Sequence, residues 1–212
     1  MATKDKILDT AERLIANQGF AATSLRQIIG EAGVNLAAVH YHFGSKEELL
    51  DQLILRKITS VNEQRIARLD ALESEADGRP VPVDRVLAAF FEPMIETGSR
   101  NPQFVKVMAR LQGEGLIPSI MQKHFRSTIS RFVRALRLAL PDVSQEEFFW
   151  RLQFMFGAMS RAVSDPVDFV PGMLKDERHE FSSVIRRLMV FLAAGFQAPA
   201  SMETPQEQEV QA

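Results

Sequence analysis

The sequence predicts an all-α fold: an N-terminal three-helix helix-turn-helix head followed by a larger helical domain. Two observations carry that prediction. Apolar residues recur three and four apart from Ile7 to Leu192, and no run alternates with the two-residue period of a half-buried strand. Ser-x-x-Gln or Ser-x-x-Glu signatures at Ser24, Ser45 and Ser144 mark helix starts, because a serine hydroxyl accepts the orphan N–H three residues on. A chain of 212 residues, 46% of them hydrophobic, is long enough to bury a substantial core.

In chain order, Ile7, Leu8, Ala11, Leu14 and Ile15 form the apolar stripe of a first helix after a Thr3 cap, stopped by Gly19. Ser24 and Gln27 open a short second helix with Ile28 and Ile29 inward, and Gly33 turns the chain. Asn35 caps a third, in which Leu36, Val39 and Phe43 are spaced for packing. Gly44 ends it. Ser45 with Glu48 then starts a long helix to roughly Leu72. The turn-rich stretch SEADGRPVP leads into a stripe of Val86, Leu87, Phe90, Phe91, Met94 and Ile95, which Pro93 is expected to kink or break. Asn101 caps a helix with Pro102 at its first position, running to about Gln112. A long helix follows from Pro118 to Pro141 with Met121, Phe125, Ile129, Phe132 and Leu136 inward. Ser144 and Glu147 cap FFWRLQFMFGAMSRAVS, and a last helix carries Phe181, Ile185, Leu188 and Leu192. The organisation expected is residues 1–50 as the head, 51–196 as a larger helical domain, and 197–212, rich in Gln, Glu and Pro, as a disordered tail.

Composition narrows the function. The net charge is −2, and residues 1–57 carry seven Lys and Arg against seven Asp and Glu, so nucleic-acid binding must rest on placement. There is no cysteine, no eighteen-residue apolar run and no basic leader at the start, which fits a cytoplasmic chain with no membrane role. Catalytic motifs are missing, so no enzyme and no cofactor are expected. His40 and His42 lie two apart and do not face one way on a helix, so no metal site is expected either. Lys123, Arg126, Arg131, Arg134 and Arg137 form a basic series that reads as a solvated face.

The third helix points to DNA. With Val39 and Phe43 packed, Ala37, Ala38, His40 and Tyr41 are left outward. Small side chains let a helix approach base edges, while Tyr41, His42 and Asn35 donate to bases or phosphates. Lys46 follows the Ser45 cap, where helix N–H groups and the ammonium favour a phosphate, and Thr23 and Ser24 offer the same at the second helix. The stretch TSLRQIIGEAGVNLAAVHYHFGSKEELL resembles the DNA-binding head of TetR-family transcriptional regulators. That resemblance implies a homodimer on a palindromic double-stranded operator, with a small effector bound in the C-terminal domain. It places DNA contacts on Thr23, Ser24, Arg26, Asn35, Leu36, Ala37, Ala38, His40, Tyr41, His42 and Lys46. His40 stands where many members carry Tyr, and Leu36 where Lys is frequent.

EEFFWRLQFMFGAMSRAVS and RRLMVFLAAGF are similar to the fatty-acid-responsive repressors grouped around PsrA. The function expected is a ligand-responsive repressor released by a small apolar effector such as a fatty acid or acyl-CoA. Alternatives are a regulator of drug efflux with an aromatic pocket, or a helical lipid-binding protein without DNA. The expected pocket is lined by Phe90, Met94, Phe104, Met108, Met121, Phe125, Phe154 and Met155, with Arg110 or Arg151 as the cation for an acidic head group. Residues 148–159 are apolar nearly all round, which requires cover from a partner subunit on the side away from the core.

Overall fold

The computed structural model describes residues 3–163 and 180–200, and these form ten helices. The head comprises α1 (Thr3–Gln18), α2 (Leu25–Ala32) and α3 (Leu36–Phe43). The long α4 (Lys46–Ala76) leads out of it into α5 (Val83–Arg100), α6 (Pro102–Gly113), α7 (Ile117–His124), α8 (Arg126–Ala139), α9 (Gln145–Val163) and α10 (Phe181–Gln197).

Local chemistry explains most of the boundaries. Ser24 Oγ accepts from Gln27 N at 3.1 Å, and Gly33 ends α2 in the left-handed region at φ 58°. Ser45 and Glu48 form the full reciprocal capping box at the start of α4. Ser144 Oγ takes the Glu147 N–H at 3.2 Å and sets α9. Thr3, the first described residue, is already helical, and α4 continues beyond Leu72 to Ala76.

Three expectations need correction. Pro93 does not break α5, which runs through it with the ring buried against the core. A proline inside a helix costs one hydrogen bond, and burial of Phe90, Phe91 and Ile95 around it offsets that loss. Asn101 makes no side-chain cap for α6: its Nδ2 donates to Thr97 O at 3.1 Å and its Oδ1 accepts from Lys57 Nζ at 3.1 Å. The single helix expected from Pro118 to Pro141 is two, parted at Phe125. Asn62 of α4 donates from Nδ2 to the His124 carbonyl at 3.2 Å, and His124 Nε2 meets Asp51 Oδ1, so α4 holds the end of α7 by both the backbone and the ring of His124.

The core divides in two. One cluster joins α1–α3 and the first half of α4 to Phe104, Val107 and Leu111 of α6, Ile120 of α7 and Phe125. The other gathers Leu69 of α4 with α5, α8, α9 and α10. The head is thus packed onto part of the C-terminal region. Glu114 strengthens that junction by accepting from Phe20 N at 2.8 Å and Ala21 N at 3.0 Å, and Arg110 Nη2 donates to Asn17 O at 3.3 Å. Glu12, buried on α1, is neutralised by Arg56 at 2.9 Å and Lys57 at 3.7 Å. Gln197 closes α10, and residues 201–212 of the expected tail lie outside the described residues.

Candidate functional site

The outer face of α3 is built from uncharged side chains. Val39 and Phe43 are buried beneath it, which fixes the helix against α1 and α4 and leaves Leu36 56% and Tyr41 86% exposed. Ala37 and His40 are exposed as well, and His42 is half-buried, its ring edge-on to Tyr41 at 5.1 Å. Asn35 is exposed just before the helix; the side chain of Ala38 lies outside the described residues. At the start of α2, Ser24 and Arg26 are exposed.

Two other expected DNA-contact residues face inward. Thr23 is 1% exposed and its hydroxyl donates to Gly19 O at 2.7 Å, which closes the turn between α1 and α2. Lys46 folds back from the α4 start: Nζ donates to Phe20 O and Thr23 O, each at 2.9 Å, and lies 4.2 Å from the Phe20 ring centre. The ammonium thus ties down two carbonyls of the turn between α1 and α2. Among the expected contact residues, Arg26 is the exposed cation.

A cavity of about 760 Å³ lies where the two core clusters meet. Six of the expected lining residues, Phe90, Met94, Phe104, Met108, Met121 and Phe125, come together on its wall. Four do not. Arg110 is exposed and tied to Asn17 O. Arg151 is 5% exposed and binds Glu147 Oε1 at 2.8 Å, Phe196 O at 2.6 Å and Ala198 O at 2.9 Å, satisfying carbonyls at the end of α10. Phe154 points away at 66% exposed, and Met155 sits in the core beside Phe90 and Leu136, bordering a much smaller void. Helix phase explains these misses: positions 151 and 155 share the inward face of α9, 154 the outward one.

The cavity also holds residues beyond the expected ones. Ile58, Val61 and Arg65 form its α4 stripe, spaced three and four apart, and Arg126, Gln153, Phe156 and Met159 join from α8 and α9. The cations on its wall are Arg65 and Arg126, and the described lining contains no Asp or Glu. Burial pushes the Arg65 guanidinium down to about 9, still charged at neutral pH.

Outside the cavity, Phe149, Trp150 and Phe154 of α9 and Val190 and Phe191 of α10 are exposed, with Trp150 stacked on Phe154 at 6.1 Å. Among the described residues no helix is long and apolar enough to cross a membrane, and no group of three or more His, Cys, Asp or Glu is placed to hold a metal.

A head of this geometry matches the family model for bacterial regulatory proteins of the tetR family over residues 7–53, and the model for the tetracyclin repressor-like C-terminal domain matches residues 87–195. The chain belongs to the TetR family. Its TetR-type head is similar to the HTH-type transcriptional regulator YerO of Bacillus subtilis, 47% identical over 47 residues, covering 22% of this chain and 16% of that protein. The chain thus spans only a minor part of the length of such curated relatives. The TetR-family fold recurs in a transcription regulator from Shewanella sp. PV-4, with a TM-score of 0.57 at 21% identity, covering 77% of this chain and 84% of that one. It recurs in the fatty acid degradation regulator FadR from Bacillus halodurans, with a TM-score of 0.54 at 17% identity, covering 94% and 98%.

Proposed function

We propose that this protein is a ligand-responsive, DNA-binding transcriptional regulator: a homodimeric repressor that leaves a palindromic operator when a small apolar effector fills the cavity. The observation that carries the reading is the position of that cavity. It lies between the core that holds the head and the core that carries the exposed α9–α10 face, and α4 runs from the head along its wall. A ligand that fits one spacing of these two bodies better than another shifts the separation of two heads in a dimer. Two half-sites one DNA turn apart tolerate little such change.

Support for DNA is the exposed α3 face with Tyr41 at its tip, flanked by Ser24 and Arg26 at the start of α2. Phosphates there meet helix N–H groups and one arginine, not a basic patch. Support for an apolar effector is the Phe and Met lining, whose shapes adapt to a flexible chain, and a volume within the usual range of small-molecule sites. The fatty acid or acyl-CoA reading rests on this lining together with the resemblance of the C-terminal stretches. A drug-efflux regulator would use the same cavity for a flat aromatic or cationic compound.

Selection on random duplexes at moderate salt tests the first part, and an enriched, roughly palindromic site is expected. Acyl chains of increasing length, titrated against the complex, test the second: release strengthens with length and then levels off. No enriched site sinks the regulator. Release by a cationic drug and by no acyl compound puts the efflux reading in its place.

A further inference from the structure

The cavity wall carries a charge that no described residue neutralises. Arg65 is 3% exposed on the stripe of α4 that faces the cavity. Its Nε donates to the Phe90 carbonyl at 2.8 Å and its Nη1 to Asn62 Oδ1 at 3.3 Å. The guanidinium lies 4.0 Å from the Phe90 ring centre and 5.7 Å from that of Phe125. A guanidinium has five N–H donors, so most of the fork, the whole Nη2 group included, is left without an acceptor among the described residues. Arg56, Arg68, Arg131 and Arg151 each meet a carboxylate. Arg65 meets none.

Burial of an unpaired cation is costly, and chains of this kind avoid it unless an acceptor arrives. The arginine fork matches a carboxylate in two parallel hydrogen bonds, and such charge-assisted pairs strengthen where water is excluded. From this placement we propose that Arg65 is the anion-recognition point of the cavity, and that the effector is an amphiphilic monocarboxylate bound as the free acid. The carboxylate sits inward on Arg65 and the chain lies along Met94, Met108 and Met121. A single buried cation balances a single negative charge. A phosphate-rich carrier such as coenzyme A would leave several charges uncompensated against an apolar wall. The assignment rests on the reading of this cavity as the effector site, and it moves the head-group contact from Arg110 or Arg151 to the middle of α4.

Calorimetric titration of the full chain with dodecanoate, methyl dodecanoate and dodecanoyl-CoA separates the possibilities. The acid is expected to bind on the order of 10- to 100-fold more tightly than the ester, as a charged hydrogen-bonded pair contributes. Arg65→Gln is expected to remove that preference by weakening the acid while the ester binds as before. Equal binding of acid and ester to the unaltered chain overturns the proposal and leaves an apolar effector site standing. Tighter binding of the coenzyme A thioester than of the acid also overturns it. Acid preference that survives in Arg65→Gln shifts the anion site to Arg126 and overturns the assignment. If none of the three ligands binds, the effector reading itself falls. Should Arg65→Gln not fold, the volume-matched Arg65→Met replaces it, and the comparison of the three ligands on the unaltered chain decides independently.

Discussion

Lys46 directs its charge into the head and not out toward a phosphate, because the turn after α1 aims two carbonyls at it and the ammonium reaches both. Lys46→Ala is therefore expected to lower the stability of the head by roughly 1–2 kcal/mol, seen as an earlier thermal transition. Arg26→Ala, on the exposed surface, is expected to leave the transition alone and reduce the salt dependence of operator binding by about one phosphate per head. A normal melt with a reduced salt slope for Lys46→Ala reverses this assignment. Asp51 makes a second residue-level test. Burial raises its pKa, but hydrogen bonds from Lys123 and His124 outweigh this and hold it below its ordinary value of 3.8. A carboxylate lowered by folding stabilises above its unfolded pKa, and that contribution is lost as pH falls through the folded one. Asp51→Asn should thus be less stable than the unaltered chain at pH 7, with the gap closing below about pH 4. A gap that stays constant down to pH 2 tells against it. What sequence alone gave at these positions was residue type. The direction in which Thr23 and Lys46 point depends on carbonyls that only the folded turn brings within their reach.

At the level of helices, the cap signatures at Ser24, Ser45 and Ser144 were readable, because each motif satisfies its N–H groups within four residues. The break at Phe125 was not, since it depends on Asn62 and Asp51, more than sixty residues earlier in the chain. The same division holds in the cavity: apolar spacing found Phe90, Met94, Met108 and Met121, while the buried cation Arg65 hid inside a helix rich in ordinary charged residues. Spacing also marked α9 and α10 as helices with more apolar surface than one chain covers. Phe149, Trp150, Phe154, Val190 and Phe191 form that uncovered surface, whereas Leu192 is buried within the protomer. A two-fold axis lets the same face cover itself. Phe191→Glu or Phe154→Glu is expected to shift a dimer to monomer in sedimentation at micromolar concentration with helix content kept. Leu192→Glu is expected to cost several kcal/mol of fold stability first, so it reports on the core. An unaltered chain that sediments as a folded monomer ends the argument for this face.

Across the whole molecule, the head and the C-terminal helices are joined through α4, and the cavity occupies the space beside it. Arg65 on the cavity wall shares Asn62 with the His124 carbonyl, and His124 in turn meets Asp51, one turn and a half into α4 and close to the head. A ligand that draws Arg65 away from Asn62 alters the support of the α7–α8 break, while a chain wedged against Met121 separates the two cores directly. Moving a population from mostly bound to mostly released needs a ligand preference between the two states of several kcal/mol, about 5.5 for a complete reversal. Both contacts are candidates to supply it, and two variants distinguish them. Met121→Glu sets an unpaired carboxylate in the apolar wall, so it is expected to abolish effector binding and release together while operator affinity in the absence of ligand persists. Asn62→Ala removes the hydrogen-bonded link but leaves the lining intact. Here ligand binding is expected to persist, with release requiring on the order of tenfold more ligand, equivalent to a coupling loss of about 1.4 kcal/mol. Mobility-shift titrations beside calorimetry on the same preparations measure both quantities. Unchanged release in Asn62→Ala assigns the coupling to the wedge between the cores alone, and a Met121→Glu variant that is still released by acyl chains removes the cavity from the mechanism.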